Sequence, residues 1–280
     1  MKLTLEGIKD RKVWEEAGIS LPSYDVGAVA EATRKKPVWV HFGAGNIFRI
    51  FIGGIADVLI AQGVSDRGIT CAETFDFDVI EKIYRPYDNL VLGVTLKADG
   101  STDKKVIGAL TEALKAQAGD TEDWKRLKDI FADPGLQIAS FTITEKGYAL
   151  KGADGAYFPF IQADIDKGPE KAVSAMAVMC SLLYGRYKAG KAPLAVVSMD
   201  NCSHNGEKLQ ESVITMAKEW NRRGYVEDGF IAYLSDHEQV SFPWSMIDKI
   251  TPRPADSVRA ELENAGVEDM TPVITSRNTY

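Results

Sequence analysis

Short apolar runs alternate along this chain with longer segments whose apolar residues recur at helical spacing. Val38–Phe42, Ile69–Ala72, Gln137–Thr144 and Leu194–Ser198 predict strands. After the first run, Ile47, Phe51, Ile55, Val58 and Leu59 fall on one face of a helix. Further helices are expected at Asp78–Tyr84, over the Ala-rich Lys171–Tyr187, and over Glu207–Trp220, where Leu209, Val213, Ala217 and Trp220 share a side. Leu90–Leu96 and Lys105–Leu110 flank the turn-rich Lys97–Ser101 and predict an antiparallel hairpin inserted into the alternation. Residues 1–35 read as a polar approach segment with short helices at Arg11–Ala17 and Val26–Thr33. Strands alternating with helices predict an α/β domain over 36–280, built on a doubly wound, mostly parallel sheet. Beyond Pro243 the pattern changes: Pro252, Pro254, a short helix near Ser257–Ala265, then Pro272–Tyr280, which reads like a strand interrupted as it leaves the domain.

Composition narrows the class. The 280 residues suffice for one large domain or two small ones, and the apolar (45%) and charged (26%) fractions are those of a globular protein. A net charge of −7 with no basic run argues against nucleic acid or an anionic membrane as partner. Cys71, Cys180 and Cys202 are odd in number and lack metal spacing, which predicts a reduced, cytoplasmic protein. The first ten residues carry charge where a signal peptide needs an apolar stretch, and no apolar run has the length of a bilayer span.

The candidate chemistry begins at Gly43-Ala44-Gly45-Asn46-Ile47-Phe48, a Gly-x-Gly turn between a strand and an amphipathic helix. That order suits a Rossmann-like fold, in which first-turn amides meet a diphosphate; the third fingerprint position is Phe48 rather than glycine. Gly43, Gly45, Asn46, Ile47 and Phe48 are therefore candidate cofactor contacts. Glu73 ends the next strand, where a carboxylate accepts ribose hydroxyls and repels a 2′-phosphate, so NAD is expected over NADP. Arg49 and Arg85 are the residues that would serve a phosphate instead. Two polar segments follow later strands: Thr142–Tyr148, with Thr144 a further cofactor candidate, and Ser198-Met199-Asp200-Asn201-Cys202-Ser203-His204-Asn205-Gly206. No His-x-x-x-His or Cys-x-x-Cys occurs, so no metal is expected.

Together, Gly-Ala-Gly-Asn-Ile-Phe-Arg (43–49), Thr-Glu-Lys-Gly-Tyr (144–148), Ser-Met-Asp-Asn-Cys-Ser-His-Asn-Gly (198–206) and Phe-Pro-Trp-Ser-Met-Ile-Asp-Lys-Ile-Thr-Pro (242–252) resemble the mannitol dehydrogenase family of polyol-specific long-chain dehydrogenases. The combination of the glycine turn with Tyr-Arg-Pro-Tyr-Asp-Asn-Leu (84–90) is most similar to its mannonate oxidoreductase and fructuronate reductase branch. The resemblance implies metal-free hydride transfer between NAD and a sugar acid or polyol, with Asn201 polarising the reacting oxygen, Asn205 a second candidate, and Asp200 orienting the turn. It also implies a catalytic lysine in a helical C-terminal domain after Tyr280, so the chain reads as the nucleotide-binding part of a two-domain enzyme; Lys249 is not expected to take that role. A non-catalytic NAD(H)-binding module and a relative of mannitol-1-phosphate 5-dehydrogenase are the competing readings. Oligomeric state is left open.

Overall fold

The computed structural model describes residues 1–97, 101–248 and 256–268. Its strands are β1 (Ile19–Ser20), β2 (Trp39–Phe42), β3 (Ile69–Glu73), β4 (Val91–Leu96), β5 (Thr102–Ile107), β6 (Leu110–Lys115), β7 (Ile138–Phe141), β8 (Leu194–Ser198) and β9 (Val240–Ser241). Six of them form one parallel sheet in the order β6-β3-β2-β7-β8-β9. The chain enters this sheet at β2, winds outward to one side, then restarts at β7 on the other. The order therefore reverses between β2 and β7, which opens a crevice beyond their carboxyl ends.

The helices are α1 (Arg11–Glu16), α2 (Val26–Lys35), α3 (Gly53–Ala61), α4 (Phe77–Val79), α5 (Glu122–Ala132), α6 (Pro159–Lys167), α7 (Ala175–Lys188), α8 (Asn205–Arg222), α9 (Asp228–Ser235) and α10 (Asp256–Asn264). Wide π turns lead into α3 (Ile47–Ile52) and continue α4 (Ile80–Tyr84). Residues of β2 alternate between the two covered faces, as strand geometry requires. Val40 and Phe42 join the core with Trp124, Phe131, Met176 and Trp220, while the His41 ring stacks on Phe48 at 4.1 Å on the other face. Among the described residues no helix is long and apolar enough to cross a membrane.

Three expectations need correction. The buried face of the helix after β2 is Phe48, Ile52, Ala56 and Ile60, one residue out of phase with the predicted one; Ile55 and Val58 are 46% and 44% exposed. Both faces of this helix are apolar, so periodicity could not choose between them, and contact with the sheet decided. The hairpin is present, but its second strand is β5, paired Leu96↔Thr102 through Val91↔Ile107. Leu110–Lys115 is a separate strand of the main sheet, parallel to β3. Residues 1–35 are no mere approach: β1 pairs with β5, and Leu3, Trp14, Ile19 and Val26 share a core with Leu90 and Val106 of the hairpin region and Leu262 of α10. The apparent polarity of this segment comes from surface charges around a small apolar nucleus. Lys249, Pro252, Pro254 and Pro272–Tyr280 lie outside the described residues.

At the amino-terminal ends of β7 and β8 sits Arg186, 1% exposed and held by backbone carbonyls, with no ion pair among the described residues. Its guanidinium donates to the carbonyls of Phe131, Asp133, Leu136, Ala192 and Pro193 at 2.8–2.9 Å, which uses every N–H it has. Burial pulls its pKa down without removing the charge.

Candidate functional site

A cavity of about 520 Å³ occupies the crevice at the carboxyl end of the sheet, within the ~300–1,000 Å³ typical of small-molecule and cofactor sites. It is lined from three strand ends: Gly43–Ile47 after β2, Glu73–Asp76 after β3, and Thr142–Thr144 after β7. Of the predicted cofactor contacts, Gly43, Gly45, Asn46, Ile47, Glu73 and Thr144 are brought together on its walls.

The turn after β2 is built for close approach. Gly43 has φ +109°, and an added Cβ would stand 2.3 Å from the Thr142 carbonyl oxygen, so only glycine lets β2 and β7 converge here. A Cβ on Gly45 would meet no protein atom within 4 Å; its face is open to the cavity. Ala44 is clamped from both sides: its N–H donates to the Glu73 carboxylate at 2.9 Å and its carbonyl accepts from the Tyr84 hydroxyl at 3.1 Å. The amides of Asn46 and Ile47, at the start of the helical segment, have no intrahelical acceptor by geometry and point the positive end of the helix at the cavity.

Glu73 is 9% exposed and also accepts from the amides of Phe75 (2.9 Å) and Asp76 (3.4 Å). Three amide donors orient it on the cavity wall and use three of its about four acceptor positions, leaving one for a hydroxyl donor. Thr144 is held at φ +66°, ψ 159°, a region that a β-branched residue rarely occupies. The Asp200 carboxylate imposes this conformation by accepting from the amides of Ile143 (2.9 Å) and Thr144 (2.8 Å) and from the Tyr148 hydroxyl. Burial pushes the Asp200 pKa up against the pull of those donors, while burial and Asp200 together raise that of Tyr148, which stays a donor. Asp200 thus holds the turn at Ile143–Thr144, on a neighbouring segment rather than its own.

Two predicted contacts are removed. Phe48 is fully buried against His41 and does not line the cavity. The wide helical turn swings it into the core, where it fills space that a small fingerprint residue would leave. Asn205 is 1% exposed, and its amide is consumed: its two N–H groups are shared among the carbonyls of Ser198, Asp200 and Ser245 and Ser245 Oγ, and its oxygen accepts from the Ser245 amide. It ties the segment after β9 to the start of α8 and has no donor left for a ligand. Asn201, by contrast, is exposed, and its side chain has no partner among the described residues. Neither arginine faces the cavity. Arg49 is buried and bonded to Asn46, and Arg85 is bound to Asp123 (2.7 Å) and Glu81 (2.7 Å). No three His, Cys, Asp or Glu side chains among the described residues converge to hold a metal ion.

His41 braces the crevice floor. Its Nδ1 lies 2.7 Å from Ser140 Oγ and its Nε2 2.9 Å from Thr142 Oγ1, linking β2 to β7. Burial pulls its pKa down to about 3, so it is neutral at ordinary pH. The sequence reading also passed over Phe75, Lys146 and Ser174 on the cavity wall. Only Lys146 carried a signal, as the charged member of the quoted Thr-Glu-Lys-Gly-Tyr.

This geometry has close counterparts. The chain is 46% identical over its full length to D-mannonate oxidoreductase of Thermotoga maritima, covering 51% of that protein. Among solved structures it is similar to Pseudomonas fluorescens mannitol 2-dehydrogenase in ternary complex with NAD and D-mannitol (TM-score 0.77, 26% identity, 97% of this chain and 52% of that one). It is likewise similar to substrate-free D-sorbitol dehydrogenase (TM-score 0.74, 27% identity, 91% and 50%). The chain spans about half the length of these proteins. Residues 37–276 match the mannitol dehydrogenase Rossmann domain, and the chain belongs to that family.

Proposed function

We propose that this chain is the NAD(H)-binding part of an oxidoreductase that transfers hydride between nicotinamide and a sugar acid or polyol, of the mannonate and fructuronate type. The observation that carries the reading is the open face of Gly45 beside two unpaired first-turn amides, in a crevice where a diphosphate can approach the backbone. Glu73 fits the same ligand, since its anchored carboxylate can accept a ribose hydroxyl and repel a 2′-phosphate. When bound, NAD supplies the hydride-accepting ring. Asn201, exposed and unpartnered, would donate to the developing alkoxide of the substrate, a task that requires no ionisation. The mannonate-type substrate is supported by the Thermotoga maritima relative.

This chain, about half the length of its relatives, is the part proposed to bind NADH; turnover, with the ~10²–10⁴-fold that general acid–base catalysis contributes, is proposed for the protein at its relatives' full length. The test is a fluorescence titration with NADH and NADPH. NADH should bind the more tightly, and Glu73→Ala should erode the difference. Failure of the parent to bind either nucleotide would overturn the reading. Extending the protein to the full length of its relatives should bring activity towards mannonate or fructuronate above that towards mannitol or fructose.

A further inference from the structure

Three charged residues line the cavity, Glu73, Asp76 and Lys146, and the charged groups nearby are committed. Glu73 is held by three amides, Arg49 and Arg85 are engaged elsewhere, and Glu145 is bound to Lys208. Lys146 lines the cavity, yet no ion pair or hydrogen bond of its ammonium group occurs among the described residues. Its neighbour Glu145 is taken by Lys208 and does not neutralise it.

The backbone that carries Lys146 is fixed. Thr144, two residues earlier, is pinned in its strained conformation by Asp200, and the Gly147 amide closes the turn on the Thr144 carbonyl at 2.9 Å. An added Cβ on Gly147 would stand 2.8 Å from the Ile143 side chain, so the turn is also tightly packed. The cation therefore leaves a rigid base with its charge unspent, on the same wall system as the Gly45–Ile47 amides. Among the described residues lining the cavity Lys146 is the one cation, set against the carboxylates of Glu73 and Asp76, so an anionic group in this cavity has a single charged side chain with which it can pair.

We propose that Lys146 is a specificity-determining contact for an anionic oxygen group in this cavity. That group is either the diphosphate of the dinucleotide or the carboxylate of a sugar acid. The inference rests on the dinucleotide reading above and adds to it a residue and a charge requirement.

The experiment is calorimetric titration of the protein and of Lys146→Gln, Lys146→Arg and Lys146→Glu with NADH, ADP, adenosine and, at saturating NADH, D-mannonate and D-mannitol. If the diphosphate is the partner, Lys146→Gln weakens NADH and ADP about tenfold or more, a charge-assisted contact being lost. Adenosine is then unchanged, Lys146→Arg keeps most of the affinity, and Lys146→Glu loses more than Lys146→Gln. If the carboxylate is the partner, the nucleotides are unaffected and only mannonate binding falls, with mannitol unmoved. In either case the gap between parent and Lys146→Gln narrows as salt is raised. Equal binding of NADH, ADP and mannonate by parent and Lys146→Gln overturns this proposal and leaves the dinucleotide reading standing. A parent that binds no nucleotide overturns both.

Discussion

Gly43 and Gly45 stand two residues apart and should fail in opposite ways. At Gly43, an alanine must adopt φ +109°, which costs roughly 1–3 kcal/mol. Its Cβ would also lie 2.3 Å from Thr142 O, where ordinary contact begins at 3.4 Å. Relief requires β2 and β7 to part near the Thr142 N–H to Phe42 carbonyl bond, now 2.9 Å, at a further cost of about 1 kcal/mol. The sum is about 3 kcal/mol, which for a chain of this size lowers Tm by about 6–10 °C. At Gly45 an added Cβ meets nothing. Gly45→Ala should leave Tm unchanged or raise it slightly, by restricting the unfolded chain. Gly45→Asp should fold equally well yet lose NADH affinity at least about 100-fold, ~2.7 kcal/mol, because it places bulk and like charge where the diphosphate must come. Paired thermal melts and NADH fluorescence titrations read both effects. The reasoning is refuted if Gly43→Ala melts within 2 °C of the parent, or if Gly45→Asp binds NADH as the parent does.

Asn205→Ala strips donors from the buried carbonyls of Ser198 and Asp200 and unties Ser245. It should cost about 2–4 kcal/mol in urea unfolding and change the emission of Trp244, which stacks on His204 at 4.5 Å; an unaltered spectrum with parental stability would rule out the clamp. His41 makes stability depend on pH. Its folded pKa, pulled by burial to about 3, lies below the ordinary 6.5, so the unfolded chain binds the extra proton between those values. Stability from this group is therefore full above the unfolded value and falls as pH drops towards 3, by about 1.4 kcal/mol per unit. Urea unfolding at pH 6.5 and 4.5 should differ by about 2–3 kcal/mol more in the parent than in His41→Gln, and equal differences would contradict it.

What the sequence disclosed was local. β8 lies where Leu194–Ser198 predicted it, and the glycine turn, Glu73 and the hairpin were all readable because each is specified within a few neighbouring residues. Leu110–Lys115 escaped as a strand because it is buried on both faces and shows no alternation. Phe48 was misplaced because the helix offers two apolar stripes, and only the sheet beneath selects one. Asn205 was misjudged for a different reason: its partner Ser245 lies 40 positions away, so its saturation was invisible from the loop alone. The same distance problem hid the pinning of Thr144 by Asp200, 56 positions on. The polar first segment gave no hint that Trp14 would meet Val106 and Leu262 in a shared core.

Arg186 separates the two ends of the sheet. By gathering the carbonyls that precede β7 and β8, one planar cation sets the spacing of those strands from the side remote from the cavity. A neutral replacement would take a charged donor from five carbonyls at once, leaving that of Asp133 with the Leu136 amide and that of Ala192 with the Tyr233 hydroxyl, so that rim tolerates little change. The opposite rim inherits a frame already fixed, and its loops are free to exchange side chains for a new ligand without re-solving the fold.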